Sequence, residues 1–163
     1  DQVNLFLEWM DDQGFLLGEI PVSIMYEEYK IWNIQENPGS SPLKNREFID
    51  RVKKLSAQFN MIYDTGRTTI SSLSALDFNP YVLNHYFFDN RIKFNKYSST
   101  KTFTCGTVLT KEDADALLVE MESDPSGLIK NLNYEKLMLI EYLVSMKDVD
   151  AIVFKETFLE PEK

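Results

Sequence analysis

At 163 residues and 44% hydrophobic content the chain is long enough to bury a core, as one domain or as two small ones. No apolar run approaches the roughly 18 residues that span a membrane and none resembles a signal peptide, which points to a soluble cytoplasmic protein; the chain opens on Asp1 rather than Met, as a piece of a longer protein would. One cysteine, Cys105, and one histidine, His85, exclude an internal disulfide, a cysteine-based zinc site and a catalytic pair of histidines, and the net charge of −9 argues against general nucleic-acid binding.

In chain order, residues 3–10 form the first predicted helix, with Leu5, Phe6, Trp9 and Met10 as its apolar face, Asp1 as its cap and Gly14 as a left-handed stop. Residues 15–20 read as a short strand or extended connector that pairs with a later hairpin. Residues 22–32 form the second helix, capped by Ser23, with Ile24 or Met25, Tyr29 and Trp32 on its buried side. Asn37-Pro38-Gly39-Ser40 marks a loop. The third helix, within residues 41–55, buries Phe48, Ile49, Val52 and Leu55. Residues 59–63, the turn Asp64-Thr65-Gly66 and residues 67–71 read as a β-hairpin, with Gly66 in the left-handed conformation of a three-residue loop. Helix, helix, basic helix, hairpin is the order of a winged helix-turn-helix, expected here over residues 1–78.

Asn79-Pro80 marks a boundary, and residues 79–163 read as a second subdomain. Residues 91–97 alternate polar with apolar and pair with 101–105 through Ser98-Ser99-Thr100. Acidic helices follow. Thr110 and Asp113 cap the first, with Ala114, Leu117, Leu118 and Met121 on one face, and Asp124-Pro125-Ser126-Gly127 stops it. Asn133 caps the next, which runs through Tyr134, Leu137, Ile140, Glu141, Leu143 and Val144 with Met138 widening the apolar side. Residues 151–154 read as a short strand or a helix turn. The predicted fold class is α+β, a winged helix-turn-helix followed by a small, mainly helical subdomain with a β-hairpin.

The charge is unevenly placed. Residues 41–105 carry ten Lys/Arg against five acids, whereas residues 1–40 and 106–163 each sum to −7, so one basic surface is set to meet phosphates while the rest repels them. Lys44, Asn45 and Arg46 lie at the N-terminal end of the basic helix, the end that enters the major groove in a helix-turn-helix, and Lys53 lies on its flank. Arg67 stands at the base of the hairpin wing. Arg91, Lys93 and Tyr97 share one strand face, with Lys101 nearby, where cations track a backbone and a ring stacks on bases, at about 1 to 3 kcal/mol per base. Glu47 and Asp50 oppose phosphate on the same helix. Catalytic motifs are absent: Thr65-Gly66-Arg67-Thr68-Thr69 lacks the spacing and the lysine of a phosphate loop, and no nucleophile elbow occurs. The pairs Asp11/Asp12 and Asp113/Asp115 read as solvated helix ends, so no metal, no cofactor and no catalytic residue is expected.

Met25-Tyr26-Glu27-Glu28-Tyr29-Lys30-Ile31-Trp32, a polar loop, and then Pro42-Leu43-Lys44-Asn45-Arg46-Glu47-Phe48 resemble the pattern Leu-Tyr-x-x-Tyr-x-x-Trp followed by Pro-Leu-Ser-x-Arg-x-Phe. That pattern is similar to the C-terminal winged-helix segment of phage and plasmid primase-helicases, the group that includes the poxvirus-type superfamily 3 helicases. The resemblance covers residues 5–71 and departs at Lys44, where a serine cap is common. It implies a noncatalytic C-terminal module of a DNA replication protein, whose partners are DNA and the upstream primase-polymerase and helicase domains of the same chain. The longer parent would then be a DNA polymerase or primase with a helicase-like ATPase domain, at work in the cytoplasm of an infected host cell if phage-encoded. The alternative is a protein-interaction or oligomerisation module, a homo-oligomer included, with no direct DNA contact.

Overall fold

The computed structural model describes residues 1–73, 95, 97–106 and 109–160. Helix α1 (Gln2–Asp12) begins where the Asp1 carboxylate accepts the Val3 N–H at 3.0 Å, and it ends just ahead of Gly14, whose φ of +76° reverses the chain. Its buried stripe is Val3, Phe6, Leu7 and Met10. Leu5, which the sequence places on that face, is 53% exposed because it lies on the far side of the helix from the line joining Val3, Phe6 and Met10.

Strand β1 (Glu19–Pro21) runs directly into α2 (Val22–Glu36). Pro21 holds the N-cap with its ring-fixed φ of −58°, so the helix starts before Ser23 and the expected serine cap is not used. Helix α2 buries Ile24, Met25, Tyr29 and Trp32 together with two polar residues, Glu28 and Asn33. Helix α3 (Asn45–Leu55) buries Phe48 and Val52, and Ile49 and Leu55 pack against the same core. A 3-10 turn (Ser56–Phe59) and the left-handed Asn60, φ 55°, then aim the chain into β2 (Met61–Thr69).

The sheet departs from the predicted hairpins. Residues 61–69 form one strand, not two, and its antiparallel partner is β3 (Ser99–Cys105), which also pairs with β1, giving the order β1-β3-β2. Phe103 lies opposite both Ile20 and Tyr63, and Met61 lies opposite Cys105. At Asp64-Thr65-Gly66 the turn chemistry survives as a bulge: between Asp64 and Thr68 β2 advances four residues where β3 advances two, and Asp64 Oδ1 accepts the Gly66 N–H at 2.8 Å. Gly66 is not among the positive-φ glycines. Ser99 and Thr100 belong to β3 instead of forming a turn, and the central strand therefore comes from beyond residue 78. The predicted strand at residues 91–94 lies outside the described residues.

Four helices follow: α4 (Lys111–Ser123), α5 (Pro125–Lys130), α6 (Tyr134–Ser145) and α7 (Val149–Phe154), the last running on into a single π turn (Lys155–Leu159). The Thr110/Asp113 capping box and the Asn133 cap form as the sequence indicates. Asp124 ends α4 and also caps α5, accepting the Gly127 N–H at 3.0 Å, while Asp148 caps α7. Residues 151–154 are helical. The fold is thus α+β.

Among the described residues the buried side chains form two clusters. The first gathers α1, α2, α3 and the sheet around Phe6, Tyr29, Phe48 and Phe103; the second gathers α4, α5, α6 and α7 around Leu117, Leu128, Ile140 and Phe154. Helix α6 serves both, giving Met138 to the first and Leu139, Ile140 and Leu143 to the second, and Phe15 meets Tyr134 edge-on at 4.5 Å. Buried on β3, the Cys105 thiol is pushed up to about 12, by loss of water first and by the Asp11 charge second, which leaves it protonated and unreactive at neutral pH.

Candidate nucleic-acid interface

The start of α3 is fixed by α2. The Tyr26 hydroxyl donates to the Leu43 carbonyl at 2.9 Å, and the Leu43 N–H donates at 3.0 Å to the Tyr29 hydroxyl, which in turn donates to the Gln2 side chain. One turn along α2, Asn33 Nδ2 donates to the Ser40 carbonyl at 3.2 Å. Burial holds the Tyr29 phenol above its ordinary value, against the opposing pull of the Leu43 N–H. Phe48 stacks on Tyr29 at 4.5 Å with the ring planes 23° apart, and it lies 5.6 Å from Tyr26 and 6.0 Å from Phe6. Two tyrosines and an asparagine spaced along one face of α2 thereby hold both ends of the loop at residues 40–43.

What this frame presents is an open, positive helix end. Lys44 occupies the N-cap of α3, and no side chain caps the leading N–H groups. Lys44, Asn45 and Arg46 are all exposed. A cation beside the positive end of the helix dipole, with donors left open, suits an anion and not the stability of the helix. Replacing Lys44 by Ser should therefore raise the unfolding free energy by about 1 kcal/mol, through a new cap, while weakening any DNA binding. Urea titration and fluorescence anisotropy on the same variant measure the two effects, and a loss of stability would mean that Lys44 has another structural partner.

Further along the helix, Lys53 Nζ sits 4.2 Å from the centre of the Tyr63 ring, and Lys101 Nζ reaches the same ring from β3 at 5.7 Å. Tyr63 itself packs on Phe103 at 5.1 Å. Among the described residues Lys44, Arg46, Lys53, Lys54 and Lys101 have no carboxylate partner, whereas Lys30, Arg51, Lys136 and Lys155 pair with Glu27, Asp1, Glu120 and Glu141. Arg67, Lys111, Lys130 and Lys147 also lack such a partner, so α3 (with its Lys44 cap) and the adjoining strand β3 carry five of the nine described cations without one, with Glu47 and Asp50 exposed among them.

The other predicted residues stand apart. Arg67 lies in the β2 bulge and not at a hairpin base; its guanidinium donates to the Ser99 carbonyl at 2.6 Å and to the Ser99 hydroxyl at 3.2 Å, tying β2 to β3. Tyr97 is exposed, with its N–H donating to the Asn95 side chain at 2.9 Å. Arg91 and Lys93 lie outside the described residues. Sequence reasoning missed the seating of Lys53 and Lys101 on Tyr63, for which a run of neighbouring residues carries no signal. Among the described residues no group of three His, Cys, Asp or Glu converges to hold a metal ion, and no helix is long and apolar enough to cross a membrane. No protein-family model, no curated protein and no solved structure matches this chain.

Proposed function

We propose that this chain is a winged helix-turn-helix that positions DNA, acting as the noncatalytic C-terminal module of a phage-type primase-polymerase or helicase. Three features support the fold half of the reading: the order helix, strand, helix, helix, strand, strand among the described residues; the sheet order β1-β3-β2; and a basic α3 delivered just ahead of β2. The replication half rests on the resemblance of residues 5–71 to the primase-helicase pattern, whose tyrosines, Tyr26 and Tyr29, hold the loop that leads into α3.

The observation that carries the DNA contact is the cluster of five cations without carboxylate partners on α3 and β3, two of which meet at Tyr63; Lys111, Lys130 and Lys147 are unpaired as well but stand among the acids of the C-terminal helices. In this reading Lys44, Asn45 and Arg46 address the groove and its phosphates from the open helix end. Lys53 and Lys101 meet the backbone next to Tyr63, whose ring keeps both ammonium groups at the seam between helix and sheet. Acidic segments on either side turn the rest of the surface away from DNA, so electrostatics sets orientation more than affinity.

Changing Lys44, Arg46 and Lys53 together to Ala tests this. Every phosphate that is no longer neutralised should take about 0.9 off the slope of log K against log salt on duplex DNA, so the triple variant should bind weakly and with a slope flatter by about 2 to 3 units. Fluorescence anisotropy with a duplex of random sequence, repeated with a single strand, reads it. Equal slopes for the wild type and the variant at matched stability would remove this face from the interface, and failure of the wild type to bind either probe at low salt would end the DNA reading.

A further inference from the structure

The second cluster leaves an apolar groove open between α4, α7 and the π turn. It has a volume of 430 Å³, with Leu118, Met121 and Phe154 in its walls and Val153 and Phe158 on its lip. Val153 is 55% and Phe158 49% exposed, and Val149, one turn before Val153 on α7, is 71% exposed. Phe158 is held in place by Phe154, ring centres 5.1 Å apart. Val153 on α7 and Phe158 on the following π turn, beside a depression that they do not fill, form the kind of apolar patch that marks an interaction site.

The charges around the groove say what would fill it. Its lining includes two carboxylates, Glu122 and Asp150, and no cation. Neither carboxylate has an ion-pair partner among the described residues. Asp150 lies in the first turn of α7, where a negative charge is favoured by the helix dipole, but Glu122 lies in the last turn of α4, where it is opposed. The fold therefore gives no reason for Glu122. Residues 111–160 carry twelve acids against five lysines; two of these, Lys111 and Lys147, line the neighbouring depression that shares Leu118 and Asp150, so Glu122 marks the more strongly negative end of the groove.

We propose that this groove docks a basic amphipathic helix of a partner protein, with apolar residues at i and i+4 seated against Val153 and Phe158 and with Lys or Arg beside Glu122 and Asp150. A two-fold dimer through this groove is a poor alternative, because it would bring the same carboxylates face to face, and α3, which carries exposed cations of a second copy, has its apolar face buried in its own core. Nucleic acid is repelled by the same field. The docking is independent of the DNA reading, since no residue of α3 or β3 takes part.

The test uses the full chain and a fluorescent peptide of about 18 residues with leucines at helical i, i+3, i+4 and i+7 spacing and lysines elsewhere, at about 0.15 M salt. Its controls are a scrambled peptide of the same composition and a version with glutamate for lysine. The amphipathic basic peptide should bind at least about tenfold more tightly than either control. Val153→Asp should abolish the preference, and Glu122→Gln with Asp150→Asn should weaken binding about tenfold and flatten its salt dependence. Phe158→Ser gives a second reading should Val153→Asp disturb the fold, and the α3 triple variant should bind the peptide as the wild type does. Equal binding of the scrambled peptide would reduce the effect to diffuse charge and overturn the proposal. Binding unchanged by either lip variant at unchanged melting temperature would do the same, as would a dimer in sedimentation that Val153→Asp dissolves.

Discussion

Replacing Phe48 by Ala should lower the unfolding free energy by about 3 to 5 kcal/mol, a large part of the roughly 5 to 15 kcal/mol that a domain of this size possesses. Phe48 is fully buried, and three aromatic side chains close around it: Tyr29 stacked at 4.5 Å, Tyr26 at 5.6 Å and Phe6 at 6.0 Å. It is the ring by which α3 meets α1 and α2 together. Truncation leaves a cavity walled by rigid rings that cannot collapse into it, which places the loss at the upper end of the range for large-to-small changes. Urea unfolding should show a lower midpoint with an unchanged slope. The start of α3 is set by hydrogen bonds at Leu43 and its body by this ring, so under the proposed DNA reading the variant should also bind a duplex more weakly at temperatures where it remains folded. A change below about 1 kcal/mol would mean that α3 does not pack through Phe48.

An effect of similar size is expected at the other end of the molecule. Lys155 Nζ lies 2.7 Å from Glu141 Oε1, and the two side chains are 14% and 6% exposed, so the pair is shut away from water between α6 and the π turn. Glu160, at 3.7 Å, is the more exposed second partner. Lys155→Met removes the counter-charge and leaves a buried carboxylate uncompensated, which should destabilise the protein by about 3 to 5 kcal/mol. Glu141→Leu combined with Lys155→Met should recover most of that loss, because two apolar side chains need no pairing in the same space. A double-mutant cycle on thermal or urea unfolding measures the coupling, and additive losses would show that the pair is not a unit.

The helices of this protein are legible in its sequence because their determinants are local. Asp1, Thr110 with Asp113, and Asn133 announce helix starts: Asp1, Thr110 and Asn133 accept from the backbone two or three residues on, and Asp113 reaches back to accept the Thr110 N–H. The apolar spacing of Phe48 and Val52 gives the buried face of α3. The sheet is much less legible. Asp64-Thr65-Gly66 has the residues of a tight turn, and its local hydrogen bond does form, yet β3 prevails because Phe103 fits between Ile20 and Tyr63. The candidate site divides along the same line. That Lys44, Asn45 and Arg46 stand at a helix start follows from spacing alone, whereas the meeting of Lys53 and Lys101 over one ring depends on a strand pairing that no window of neighbouring residues encodes.

That pairing also has a timetable. As the chain emerges during synthesis, β1 and β2 appear long before the strand that must lie between them, so for residues 70–105, at about 5 to 20 residues per second, the two wait for several seconds without their shared neighbour. The three N-terminal helices close mostly short loops and can gather first around Phe6, Tyr29 and Phe48. The arrival of β3 is then the slow, non-local event, and it completes the seam where Lys101 joins Lys53 at Tyr63. A nascent chain that ends before Ser99 would carry the open end of α3 without that seam, so the two halves of the basic face mature at different moments in the life of the molecule.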